Sequence, residues 1–252
     1  MRPVNKWNPG SVTLPDGTQI QVDSNYPDYK NAKPILSVNL GCMCSYCEKI
    51  YPDDRDLHVE HIQPKNYVDE HNNKIYAHLE TAWQNFLLSC ATCNGADNKG
   101  TKNVEYGKCH LPHLNNTFLS LVYKPGGVVE VNPLLKGVSC DNATSLLNLI
   151  GLNKGPKDSK ERDKRWEVRS KVWKLANRYL QKFSKREIDM ETLIDLVKGY
   201  GCWSIWFTVF REYDEVRKAL IEEFPGTAVE CFDAQHHYDP VCRNPENTID
   251  PV

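Results

Sequence analysis

Two Cys-x-x-Cys pairs, Cys44/Cys47 and Cys90/Cys93, bracket the segment His58-Val59-Glu60-His61-Ile62, and Asn94 follows the second pair directly. A Cys-x-x-Cys turn offers two thiolates on one knuckle, so two such pairs make the full tetrahedral set of a structural zinc, with sulfur about 2.3 Å from the metal. Four thiolates leave no open coordination position, so this zinc is expected to staple the chain and not to carry a reaction. Glu60 offers a hard oxygen ligand for Mg2+ or Mn2+, and His61 a general base near neutral pH.

The elements that must position these groups follow from local pattern. Residues 56–62 alternate apolar and polar over most of their length, as a strand does, and Pro64 ends them. Neighbours on a regular strand face opposite sides, so Glu60 and His61 can share one site only at a frayed or bulged strand end. His58 has the parity of Glu60 and is read either as a contact to metal or phosphate or as an ordinary partly buried histidine. If Cys93 opens a helix, Asn94 and Asn98 are i, i+4 neighbours on one face and both are available to a metal. Asn98, two residues before Gly100, equally suits a helix end. Lys99 and Lys102 can reach a phosphate.

Composition bounds the surroundings. At 252 residues and 40% hydrophobic content the chain can bury a core. It has no apolar run near the roughly 20 residues of a membrane span, and Met1–Lys6 lack a signal-peptide core, so the reading is cytoplasmic with no membrane partner. A reducing compartment turns ten cysteines toward metal ligation and plain thiols rather than disulfides. Cys42, Cys109, Cys140, Cys202, Cys231 and Cys242 are read as plain thiols, with Cys42 close enough in sequence to compete with Cys44. Between Lys154 and Arg186, 13 Lys/Arg face 4 Asp/Glu, a local +9 that leaves −11 on the rest of a chain of net charge −2. A basic stretch on an acidic body suits a phosphate backbone, though a solvated helix face has the same composition.

Three regions emerge. Residues 1–41 are rich in Pro, Asn and Asp and predict a hairpin and a helix over 29–40. Residues 42–102 hold the motifs. Residues 103–252 begin with loop signals and a strand at Val128–Val131, then predict helices over 158–183, 190–198 and 204–224, whose Trp and Tyr residues are read as core.

The order Cys44-x-x-Cys47, Glu60-His61-Ile62-x-Pro64, Asn85, Cys90-x-x-Cys93-Asn94, Lys99-Gly100 resembles an HNH endonuclease with the ββα-metal fold and a four-cysteine zinc site. The wording Cys44-Ser45-Tyr46-Cys47-Glu48-Lys49 and Val59-Glu60-His61-Ile62-Gln63-Pro64-Lys65 is closest to the PtuB-like branch, nucleases that accompany a PtuA-like ATPase in Septu anti-phage systems and related retron loci. The resemblance implies an α+β protein, a small ββα-metal module embedded in a mainly helical scaffold. It also implies metal-dependent cleavage of nucleic acid, with DNA the first expectation. In that scheme His61 activates water, Glu60 and Asn94 hold Mg2+ or Mn2+, and Asn85 orients the hairpin and the His61 ring. The family usually has two residues between the asparagine and Lys-Gly; here four, Gly95–Asn98, intervene, which sets Asn94 against Asn98 as the helix ligand. The competing reading is a non-catalytic zinc module that binds nucleic acid or protein. The helical C-terminal region, with Arg165 and Lys171 on its basic run, is expected to supply the partner surface and part of the nucleic-acid track.

Overall fold

The computed structural model describes residues 1–155 and 163–252. Within them the chain is an α+β assembly of helices and four separate two-stranded antiparallel ribbons. Strands β1 (Gly10–Thr13) and β2 (Gln19–Val22) form the N-terminal hairpin, and a 3-10 turn at Tyr29–Ala32 runs into α1 (Lys33–Leu40), filling the predicted 29–40 helix. Strands β3 (Leu57–His61) and β4 (Phe86–Cys90) pair in the register His58↔Ser89, Glu60↔Leu87, His61↔Phe86, and a one-turn helix, α2 (Ala91–Asn94), follows β4 without a break.

After a short α3 (Thr117–Ser120), β5 (Leu121–Lys124) pairs with β6 (Val128–Val131) across a Pro125–Gly127 turn. Gly127 sits at φ 78°, and a Cβ there would lie 2.1 Å from the Trp166 carbonyl oxygen. Only glycine therefore lets the long helix that carries Trp166 press onto this turn.

The C-terminal half departs from the sequence reading at three places. Helix α4 (Gly137–Ile150) was not foreseen, although Ala143, Leu146, Leu147 and Ile150 bury a regular helical stripe. Helix α5 (Arg165–Ser184) begins at Arg165; most of the predicted start, 158–162, lies outside the described residues. The single helix expected over 204–224 is two, α7 (Trp203–Val209) and α8 (Asp214–Glu222). The chain turns between them because Phe210 and Tyr213 both pack edge-on against Phe183 of α5, and Asp214 and Glu215 then suit the positive N-terminus of α8. Helix α6 (Met190–Tyr200) extends the predicted 190–198, and a two-residue ribbon, β7 (Phe232–Asp233) with β8 (Asp239–Pro240), closes the order.

The three sequence regions share one hydrophobic core, with Leu36 and Leu40, Leu57, Phe86 and Leu88, and Trp203, Trp206 and Phe207 in a single buried cluster. Glu48, next to Cys47 and itself buried at φ 60°, ties the regions together. Its carboxylate accepts the Arg2 amide at 2.6 Å, the Ser204 amide at 3.0 Å and the Ser204 hydroxyl at 2.6 Å. No helix among the described residues is long and apolar enough to cross a membrane.

Candidate metal centre and candidate active site

The sulfur atoms of Cys44, Cys47, Cys90 and Cys93 lie within 4.8 Å of one another, all on buried residues, and Cys47 and Cys90 are 3.7 Å apart. Bonds of 2.3 Å set the edge of a zinc–thiolate tetrahedron at about 3.8 Å, so four buried sulfurs at this spacing fit a zinc ion. Local bonds shape both knuckles: the Glu48 amide reaches the Cys44 carbonyl at 3.0 Å, and the Cys93 amide points at the Cys90 sulfur at 3.5 Å. Cys90 ends β4 and caps α2, so a bound ion would join the first knuckle to the strand–helix corner. Cys42 stands outside the cluster.

Arg165 packs on this centre. Its guanidinium reaches the Cys93 sulfur at 3.1 Å, the Asn98 side-chain oxygen at 3.1 Å, the Gly151 carbonyl at 3.0 Å and Asp163 at 2.5 Å. Arg169, one turn on, is buried and donates to the carbonyls of Gly127 and Leu152 at 2.8 Å each. Placing Arg165 on a surface track for nucleic acid is thus corrected: a cation beside thiolates offsets their charge and holds their geometry. Lys171, by contrast, is exposed.

On the other side of the β3–β4 hairpin lies a cleft of about 430 Å³ lined by His58, His61, Asn94 and the cations Lys30, Lys33, Arg55, Lys65 and Lys99, with no carboxylate among its lining residues. His61 sits at the strand end. Its Nε2 lies 2.9 Å from the Glu80 carbonyl oxygen, and its ring stands edge-on to Tyr29 at 4.8 Å and to Phe86 at 5.2 Å. A carbonyl can only accept, so Nε2 carries the proton and Nδ1 keeps its lone pair. Burial pushes the His61 imidazole below its ordinary value, with Lys65 and Lys99 pushing the same way against the Glu80 carbonyl. The ring is therefore a neutral base at neutral pH.

Asn85 does not touch this ring. Its side chain accepts from the Gln63 amide at 2.8 Å and donates to the carbonyls of Gln63 at 2.9 Å and Leu79 at 3.3 Å. It clamps the backbone leaving β3, and the Glu80 carbonyl does the orienting that the resemblance assigned to Asn85. Lys65 steadies that segment, pairing with Glu80 at 2.5 Å and lying 4.3 Å over the Tyr29 ring.

Glu60 faces away from the cleft. It is fully buried, with Lys99 Nζ 2.7 Å from Oε1 and the Ser89 hydroxyl 3.3 Å from Oε2. Oε1 lacks a well-angled donor, so the Lys99 contact is Coulombic more than directional. Lys99 also donates to the His61 carbonyl at 2.5 Å. Burial pushes the Glu60 carboxyl up, and burial pushes the Lys99 ammonium down, each against the pull of the other. Strand parity thus separates Glu60 and His61: Asn94 borders the cleft, Glu60 does not, and as arranged the two do not fit one shared Mg2+ or Mn2+. Among the described residues the four cysteines form the one cluster of at least three His, Cys, Asp or Glu side chains able to hold an ion.

Helix α2 ends at Asn94, so the expected i, i+4 face carrying Asn94 and Asn98 does not exist. Buried Asn98 instead donates to the Thr92 carbonyl at 2.8 Å and accepts from Arg165, which makes it part of the metal centre's support. His58 is exposed on the cleft wall, and Lys102 is exposed outside it.

Two histidines outside the motif region lie away from the surface. His110 is fully buried between Ser120, whose Oγ is 2.7 Å from Nδ1, and Asp250, 3.0 Å from Nε2. This Ser–His–Asp arrangement is sealed, since Ser120 and His110 have no exposed surface, and it serves to anchor the segment around Asp250. His113 is half-buried, with its Nδ1 enclosed. No family model matches the chain, and no curated protein matches it.

Proposed function

We propose that the chain is a zinc-stapled nuclease of the HNH kind that hydrolyses phosphodiester bonds in the cationic cleft. The observation that carries this reading is His61: a neutral imidazole, fixed by the Glu80 carbonyl through Nε2 and wedged between Tyr29 and Phe86, in a cleft whose walls also carry Lys30, Lys33, Arg55 and Lys65. The strand–strand–helix order of β3, β4 and α2, stapled by the four cysteines, supports the ββα-metal reading of the module.

In this scheme a scissile phosphate lies against Lys33, Lys65 and Asn94. His61 Nδ1 takes a proton from water as the water oxygen bonds to phosphorus, and the bond to the leaving 3′ oxygen breaks in line, that oxygen taking its proton from solvent. The surrounding ammonium groups stabilise the charge that builds on the phosphoryl oxygens. Glu60, committed to Lys99 and Ser89, has no part in these steps. A non-catalytic zinc module is the second reading, and the burial of Glu60 away from Asn94 is what favours it.

Plasmid, single-stranded DNA and RNA incubated with the purified chain, with and without Mg2+ or Mn2+, separate the two. Cleavage that falls by on the order of a hundredfold or more in His61→Ala supports the enzyme. Equal persistence of every substrate with wild type and variant leaves the binding module. The finer reading, an anti-phage effector working with an ATPase, rests on the motif wording of residues 44–49 and 59–65; co-purification with an ATPase encoded beside it is its test.

A further inference from the structure

A second cavity, of about 630 Å³, opens between the N-terminal segment and the loop entering β4, and it has a chemistry of its own. Its apolar surfaces are aromatic. Trp7 and Trp83 are linked by an indole N–H to the Trp7 carbonyl at 2.8 Å, and Tyr106 stands across them, 45% exposed. Its basic groups are Lys6, which burial pushes down to about 7, and Arg243, which pairs with Glu230 at 3.2 Å. Lys6 bonds the Trp83 carbonyl and lies 4.8 Å over the Trp83 ring, and Arg243 reaches the carbonyls of Val4 and Pro112 at 3.3 Å each. Asp and Glu are absent from its lining, while the exposed amides of Asn8 and Gln84 stand at its mouth.

One atom in this wall lacks a partner. His113 Nδ1 is enclosed and meets no donor or acceptor. Burial, with Lys6 and Arg243 nearby, pushes His113 down to about 3, so it is a neutral imidazole that needs a hydrogen-bonding neighbour. An orphaned polar atom beside aromatic surface and two basic groups describes the complement of a particular ligand. That ligand is flat and heteroaromatic, carries ring-edge donors or acceptors, and bears an anionic group. Planar rings on Trp and Tyr faces gain stacking energy that is indifferent to base identity, and the cations supply the phosphate term. The volume falls in the range of sites that enclose a small organic ligand.

We infer that this cavity is a nucleotide site, in which a base stacks against Tyr106 and the half-buried Trp7 with its edge on His113 while its phosphate lies on Lys6 and Arg243. The base can belong to a free mononucleotide or to an unstacked nucleotide of a strand. The inference does not depend on the nuclease reading, since it concerns binding in a cavity that His61 does not line.

The test is calorimetric titration of the His61→Ala chain, which cannot confuse binding with cleavage. The probes are dAMP, deoxyadenosine, inorganic phosphate and a 5′-phosphorylated single-stranded oligonucleotide. dAMP is expected to bind at least about tenfold more tightly than deoxyadenosine or phosphate alone. Tyr106→Ala, at an exposed position that folding tolerates, is expected to weaken dAMP about tenfold through lost stacking. Lys6→Met is expected to erase the preference for dAMP over deoxyadenosine. Loss of oligonucleotide affinity in Tyr106→Ala with no measurable dAMP binding assigns the site to a strand nucleotide and also sustains the inference. Unchanged affinity for both probes in Tyr106→Ala and Lys6→Met chains that melt like the parent, or no binding of either probe, overturns it.

Discussion

Lys99 and Glu60 meet in the interior, Nζ to Oε1 at 2.7 Å, with side chains 1% and 0% exposed. Neither charge has water to fall back on, so removing one strands the other. Lys99→Met is expected to cost about 3–5 kcal/mol, the usual penalty for an uncompensated buried charge. Glu60→Gln with Lys99→Met should cost less than the two single changes summed, by a coupling of about 1–3 kcal/mol. Urea unfolding of the four proteins measures this, and additive losses would show that the pair is not a unit.

The cleavage proposed for His61 has a pH signature. A base held below its ordinary 6.5 stays unprotonated into mildly acidic solution, so the acid limb of the rate profile is expected below 6.5. Lys65 is one cause of that depression. Lys65→Met should move the acid limb up toward 6.5, and the shift is read from the profile independently of any change in the plateau rate. A limb that stays in place would remove Lys65 from the account of His61.

Much of this was legible in the chain because it depends on spacing. The two knuckles, the β3 alternation closed by Pro64 and the 29–40 helix all follow from residue pattern alone. The α4 stripe at residues 143, 146, 147 and 150 is an equally local signal. Other features had no local signal. The carbonyl that orients His61 belongs to Glu80 and would be there whatever residue stood at 80. Asn98 became a support for Arg165 because α2 stops at Asn94, before extended Gly95, and because its partner lies 67 positions downstream, which no local pattern encodes. Strand parity separates Glu60 from His61 in the sequence, and the buried partner of Glu60, Lys99, lies 39 positions on, beyond any local pattern.

Zinc should behave as part of the fold. One equivalent per chain is expected by metal analysis, and its removal by a strong chelator should lower the melting temperature and expose the β3–β4 hairpin to proteolysis. Arg165 donates to the Cys93 sulfur and bonds Asn98, so Arg165→Gln should release zinc to a competing chelator about tenfold or more readily. An unchanged affinity would mean that Arg165 only joins helix to loop.

The sealed His110–Asp250 pair predicts acid lability. Burial pushes His110 below 6.5, partly offset by Asp250, so the unfolded chain binds a proton that the folded chain refuses. Its contribution to stability is therefore present above 6.5 and declines as pH falls below it. Burial would raise Asp250, but bonds from Ser139 at 2.7 Å, from His110 and from Asn142 at 2.6 Å hold it below 3.8, so its contribution is lost only in stronger acid. The melting temperature should thus fall from pH 7 to pH 5 less steeply in His110→Gln than in wild type. Asp250→Asn should cost about 2–4 kcal/mol at pH 7 and progressively less as wild-type Asp250 itself becomes protonated. Ser120→Ala should lower stability while leaving cleavage unchanged. A nuclease rate that fell with Ser120 would instead mean that this enclosed Ser–His–Asp set opens in solution and takes part in the chemistry.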